Sequence, residues 1–274
     1  MLTALCLLLL GMLPAAAQTI EPVSPLPPEA SPPAVAIVID DLGYSNRIGG
    51  GFARMPYPLT LAILPDTPYA RALATLGHRN GKQIIIHMPM QARGRPAVAP
   101  GGLRLDHGPF EIARRLVSAF GDVPYASGIS NHEGSRLTES SVSMRLLMTT
   151  LRLQRVPLFL DSRTSARSVA ATLAQRAGLR VAERDVFLDN SREPTRIHAQ
   201  LDRLIRVADR RGTALAIGHP HPETLAALAD RLPEFEARGI RLLTVDALIE
   251  IGNGQHAADT DAKARHGWFS DATD

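Results

Sequence analysis

Six places in this 274-residue chain carry acidic or imidazole side chains where a short apolar run ends. They are Asp40-Asp41, His87, Asn131-His132, Asp161, Asp189-Asn190, and His219 with His221. Two histidines and one carboxylate from different strands, with positions left for water, form the ligand set of a catalytic Zn²⁺ rather than of a closed structural site. Mn²⁺, Co²⁺, Ni²⁺ and Fe²⁺ accept the same donors, so these residue types leave the metal open. Adjacent carboxylates such as Asp40 and Asp41 disfavour joint ionisation, and a divalent cation relieves that repulsion. The chain's single cysteine, Cys6, lies in its first apolar segment, so a mature chain offers no thiolate and any metal must be held by His and carboxylate.

Each residue alone also has a plainer reading. An Asp after a strand often forms a turn or caps the next helix. Asp161, followed by Ser162-Arg163-Thr164-Ser165, fits a cap as well as a site. His78, His107 and His198 fall within or beside helical segments and read as solvated or packed; His256 and His266 lie in the C-terminal stretch. For Asp40, Asp41, His87, His132 and His219 the plain reading needs five coincidences at one structural position, which favours a site.

The elements that must position these groups alternate along the chain. Strands are expected at Val35–Ile39, Leu59–Leu64, Gln83–His87, Tyr125–Ser130, Leu158–Leu160, Val186–Leu188, Ala214–Ile217 and Arg241–Val245. Helices are expected at Pro68–Asn80, Pro109–Gly121, Ser140–Arg155, Ser165–Ala177, Thr195–Arg211 and Pro222–Arg238. This alternation predicts an α/β protein with parallel strands and outer helices, either a closed or distorted (β/α) barrel or an open doubly wound sheet. Eight strands favour the barrel, whose mouth would gather every strand-end residue named above.

The remaining composition bounds the setting. Residues 1–17 join an apolar run, Leu2 to Leu13, to Pro14-Ala15-Ala16-Ala17, which reads as a signal peptide cut before Gln18. A secreted or periplasmic protein with no membrane span after cleavage is expected. Residues 18–33 are a proline-rich linker, 34–250 the folded domain, and 251–274 a polar tail expected to be disordered. The net charge of +3 is spread along the chain, which argues against a nucleic-acid partner, and a protein partner stays open. Aromatic residues are 4%, so a polymer substrate would be held mostly by polar groups.

The run Val35-Ala36-Ile37-Val38-Ile39-Asp40-Asp41-Leu42-Gly43 resembles the opening motif of the divergent polysaccharide deacetylases, relatives of the metal-dependent carbohydrate esterases. The resemblance continues through Ile86-His87-Met88-Pro89-Met90, Ser130-Asn131-His132-Glu133-Gly134-Ser135, Phe159-Leu160-Asp161-Ser162-Arg163 and Ile217-Gly218-His219-Pro220-His221-Pro222. It spans about Ala34 to Ile249.

This resemblance implies a metal-dependent hydrolase that removes acetyl groups from an envelope or extracellular polysaccharide, with zinc as the expected divalent metal. It assigns Asp40 as general base, Asp41, His87 and His132 as metal ligands, and His219 as the acid that protonates the leaving group. Asn131, Ser135, Asp161, Arg163, Asp189, Asn190 and His221 are the expected substrate-holding or ligand-orienting groups. The chain departs from the ordinary esterases in two ways: no His-x-x-x-His spacing follows the third strand, and their arginine-proline motif is missing. A non-catalytic envelope protein that keeps the fold to bind carbohydrate or a partner is the alternative. A phosphoesterase or another metal hydrolase on the same barrel is a weaker one.

Overall fold

Strand β1 (Ala34–Leu42) sets the pattern of the fold, because its successive side chains enter two different apolar environments. Ala34, Ala36 and Val38 belong to a small inner cluster with Ala62, Ile85, Leu158, Leu160, Leu215 and Ile217. Val35, Ile37 and Ile39 belong instead to the larger cluster that the helices cover. The structure, a computed structural model, describes residues 32–95 and 97–252. The expected signal peptide, nearly all of the linker and the tail from 253 onward lie outside the described residues.

The other strands are β2 (Thr60–Ile63), β3 (Gln83–Met90), β4 (Ala126–Glu133), β5 (Leu158–Asp161), β6 (Arg180–Glu183), β7 (Val186–Phe187), β8 (Thr213–Gly218) and β9 (Arg241–Leu243). All pairings are parallel, in the order β6-β5-β4-β3-β2-β1-β8-β7, and β9 pairs with the start of β1. The two ends of that path, β6 and β7, are separated in the chain only by Arg184 and Asp185. Arg184 N–H donates to Asp161 O at 3.2 Å, prolonging the ladder with β5, and Asp185 N–H donates to Leu215 O at 2.9 Å, opening the ladder with β8. One segment thus changes partner, and the sheet curls into the distorted barrel that the strand count favoured.

Helices α1 (Asn46–Arg54), α2 (Ala70–Arg79), α3 (Pro109–Asp122), α4 (Ser141–Leu153), α5 (Ala170–Arg176), α6 (Pro194–Arg211) and α7 (Pro222–Ala237) surround it. Proline opens α3, α6 and α7, where its missing N–H costs nothing. Ser45 and Ser140 cap α1 and α4 by accepting the N–H groups of Ile48 and Ser143. Among the described residues no helix is long and apolar enough to cross a membrane.

The end of the barrel where the strands begin is plugged. After β9 the chain turns into a helical segment over 245–252, whose Val245, Leu248 and Ile249 complete the inner cluster. Val245 N–H donates to Thr60 Oγ1 and Asp246 N–H to Gln83 Oε1, both at 3.1 Å. Chemistry is left to the opposite end, where the strands finish. Three elements differ from expectation: α1 and β6 were not foreseen, and Val245 belongs to this closing helix rather than to the last strand.

Candidate functional site

The inward positions of each strand continue into the site with the same period of two. Beyond Val38 comes Asp40, beyond Ile85 comes His87, beyond Leu160 comes Ser162, and beyond Ile217 comes His219. On β4 the inward positions are Ser130 and His132, since Gly128 and Ser130 stand opposite Leu158 and Leu160. The barrel interior therefore changes from apolar at its floor to polar at its mouth. Asp40 and His87 are each 2% exposed, so the groups nearest the core are shielded from bulk water.

Asp41 reaches the mouth by a different route. Alternation would turn it outward, but its backbone has φ of 55° and the β1–β2 register shifts between Ile39 and Leu42. This local kink brings both carboxylates to one imidazole: His87 Nε2 lies 3.1 Å from Asp41 Oδ1 and 3.5 Å from Asp40 Oδ2. Gly43 permits it, with φ of 134° and no space for a side chain beside Thr67.

On the other side of Asp41, His132 Nδ1 lies 2.8 Å from the same Oδ1. Strands β3 and β4 run in register past His87, which faces Ser130, and Ser130 Oγ lies 2.7 Å from His87 Nδ1. A hydroxyl accepting there keeps the proton on Nδ1 and leaves the Nε2 lone pair for the mouth. One donor atom each from Asp41, His87 and His132 lies within 4.8 Å of the others. Two imidazole nitrogens converging on one carboxylate oxygen are a donor set that fits a divalent cation.

The electrostatics separate the two aspartates. Burial pushes the Asp41 carboxyl up, but the His132 and His87 imidazoles outweigh it and hold the group well below the usual carboxylate range. Burial pushes Asp40 up, and the surrounding histidines offset this only in part, so its net shift is upward. Among the described residues, one oxygen of Asp40 has only Ser162 Oγ at 3.4 Å and the His87 contact, and the other has no hydrogen-bond partner.

His219 closes the far side, with Nε2 3.9 Å from Asp41 Oδ2. Its orientation is fixed by Asp189, whose Oδ1 meets His219 Nδ1 at 2.8 Å and whose Oδ2 accepts the His219 backbone N–H and the Thr224 hydroxyl. Burial pushes the His219 imidazole down, yet the Asp189 hydrogen bond and charge reverse this and leave it raised. Gly218 leaves space for Thr224, because a Cβ there would stand 3.1 Å from Thr224 Cγ2.

The other expected residues are used differently. Asn131 is fully buried: its Oδ1 accepts Ser162 N–H, and its Nδ2 donates to Glu133 O and Thr164 Oγ1. It ties β4 to the loop after β5 and has no amide group left for a sugar. Asp161 is likewise consumed, accepting Arg163 N–H and the Ser168 hydroxyl, which is the turn-forming use. Ser135 accepts Arg93 N–H, and Arg163 pairs with Glu183 at 2.8 Å. Asn190 is exposed, and His221 starts α7 with its ring 6.1 Å from that of His219. Ser130, Ser162, Arg184 and Phe187 join the site although the strand-end pattern does not single them out; only the inward period of two marks the serines.

With this geometry in place, the comparison with known proteins is decisive at the level of family. Residues 37–249 match the family model described as divergent polysaccharide deacetylase. The chain belongs to that family. The protein YibQ of Escherichia coli (strain K12) is 40% identical over 194 residues, covering 71% of this chain and 60% of YibQ. The chain thus spans less than two thirds of that relative's length. The crystal structure of ATU2773 from Agrobacterium tumefaciens C58 is similar with a TM-score of 0.74 at 25% identity, covering 83% of this chain and 92% of that one. A structure described as T48 deacetylase with substrate shares the fold, with a TM-score of 0.52 at 14% identity over 81% of this chain and 92% of that one. The parallel barrel with outer helices is therefore a fold that this chain shares with that deacetylase.

Proposed function

We propose that this protein is an exported, metal-dependent hydrolase that removes acetyl groups from an envelope or extracellular polysaccharide. The observation that carries the reading is the convergence of Asp41, His87 and His132 on one point, with Asp40 and His219 on its flanks. Asp41, His87 and His132 hold the metal, most suitably Zn²⁺ given two nitrogen donors and one carboxylate. A bound cation supplies Lewis acidity there, polarising a carbonyl and lowering the pKa of water towards roughly 7.

Asp40 then serves as general base: its buried, raised carboxyl is a better proton acceptor than an ordinary aspartate, and it takes the proton of the attacking water. His219 keeps its proton on both nitrogens further into the neutral range because Asp189 faces Nδ1, and it gives the Nε2 proton to the departing nitrogen or oxygen. Ser130 and Asp189 orient the two imidazoles. Export to the periplasm or beyond rests on the signal-peptide pattern of residues 1–17.

The test is acetate release from acetylated glycans by zinc-loaded protein. Asp40→Asn and His219→Ala are each expected to lower turnover by about 10²–10⁴-fold with metal content unchanged. Metal-loaded protein that binds the glycans but releases no acetate would establish the non-catalytic alternative instead.

A further inference from the structure

Arg184 stands on the two-residue link that closes the barrel, and the chemistry above does not use it. Its Nε donates to Ser162 O at 2.9 Å and its Nη2 to Arg163 O at 3.0 Å. Its Cζ lies 4.9 Å from the centroid of the Phe187 ring, and that ring stacks on His219 with centroids 5.0 Å apart. Ser162 in turn sets its hydroxyl against Asp40. The guanidinium is therefore one residue removed from both flanks of the site.

Neighbouring Arg163 has Glu183 as its counter-charge, whereas Arg184 has no carboxylate ion-pair partner among the described residues. Arg184 is a half-buried cation: burial pushes its pKa down, and the more distant Asp40 and Asp161 offset this only in part. Two carbonyls and an aromatic face fix the planar fork, and neither carbonyl engages Nη1. A preorganised guanidinium of this kind suits a carboxylate better than it suits a neutral hydroxyl. The loops that follow β3, β4, β5 and β7 add Arg93, Arg95, Arg136, Arg167 and Arg192, of which Arg93, Arg95 and Arg167 pair with Glu139 or Glu133.

We propose that the glycan substrate is acidic, and that Arg184 recognises a carboxylate on or beside the acetylated sugar. The proposal rests on the deacetylase reading for the acetyl group, and the binding of the anion is measured apart from it. Two probes serve: acetylated oligosaccharides containing hexuronate units, and the same oligosaccharides with those carboxyl groups reduced to alcohols. Calorimetric titration of the metal-loaded full chain is expected to show about tenfold or tighter binding of the acidic probe, a preference that shrinks as salt rises.

Arg184→Gln is expected to bring the ratio of the two affinities close to one, and Arg184→Lys to keep part of it; melting curves and metal content confirm that both variants are folded. Equal affinity of the wild type for both probes, no binding of the acidic probe, or a proportional loss for both probes in Arg184→Gln would overturn the proposal. An acidic preference without acetate release keeps the anion site and removes the deacetylase reading. Equal acetate release and equal binding for both probes removes the anion site and keeps the deacetylase.

Discussion

Asp189 grips His219 at two points: Oδ1 meets the imidazole Nδ1 at 2.8 Å, and Oδ2 accepts the backbone N–H at 2.6 Å. The side chain of Asp189 is wholly buried, so this contact has little solvent to screen it. Both partners are shifted in the mutually favourable sense, Asp189 downward against its own burial and His219 upward against its own.

Asp189→Asn is therefore expected to lower the His219 pKa, read by NMR titration of the metal-free protein. The stability consequence has a defined sign. A raised histidine pKa stabilises the fold fully below the unfolded value of about 6.5 and loses that contribution as pH rises through the folded value. Asp189→Asn should thus cost about 1–3 kcal/mol in urea denaturation near pH 6, and less near pH 9. A uniform loss at both pH values would show that only the backbone and Thr224 contacts matter.

Ser130 and His87 give a prediction about ligand positioning. Without the hydroxyl at 2.7 Å, His87 Nδ1 faces a fully buried position with no partner, and nothing selects the tautomer that leaves Nε2 free. Ser130→Ala is expected to weaken zinc binding by about 10–100-fold while the fold persists. Competition against a chelator of known affinity measures it, and unchanged affinity would remove Ser130 from the site.

Much of this architecture is legible in the sequence because the barrel interior repeats every two residues. Ala34, Ala36, Val38 and Asp40 already carry the change from floor to mouth, and Ile85-His87 and Ile217-His219 repeat it. Helix α1 is not marked in the sequence because Gly49-Gly50-Gly51 are poor helix formers. The structure shows that a Cβ at Gly49 or Gly51 would collide with Leu73 or Leu225, so the glycines let α1 pack closely. Strand β6 was hidden because Arg180–Glu183 is polar and only partly buried. The inward turn of Asp41 depends on a positive φ, and the His87–Ser130 contact depends on strand register; neither is written in residue spacing. Asn131 and Asp161 look like site residues because they end apolar runs, but their side chains turn away from the interior into the loops.

Gly43 tests how the turn after Asp41 is built. A Cβ there would fall 2.1 Å from Thr67 Oγ1 and 2.8 Å from Thr67 Cβ, on a backbone at φ of 134°. Gly43→Ala combines a clash with a disfavoured backbone and is expected to cost about 2–4 kcal/mol. For a domain of this size that is a fall of roughly 5–15 °C in Tm. Thr67→Gly in the same chain removes the clashing atoms but not the backbone strain, so the double variant should recover only part of the loss. Full recovery would mean that the clash alone matters.

Asp40 and Asp41 are adjacent, touch the same imidazole and are shifted in opposite directions, so exchanging each for asparagine separates their roles. Asp41 has a lowered folded pKa, so its charge stabilises the metal-free fold above the unfolded value of about 3.9, and that contribution is lost as pH falls through the folded value. Asp40 has a raised folded pKa, so its contribution is present at low pH and is lost as pH rises from the unfolded value through the folded one. At pH 7 the metal-free Asp41→Asn protein should be less stable than the wild type, and Asp40→Asn equally or more stable, since a buried charge with an unpartnered oxygen is gone. Metal content divides them again: Asp41→Asn loses its zinc on dialysis, while Asp40→Asn keeps zinc and loses turnover. If Asp40→Asn also loses the metal, Asp40 is a ligand and the general base must be sought elsewhere in the mouth.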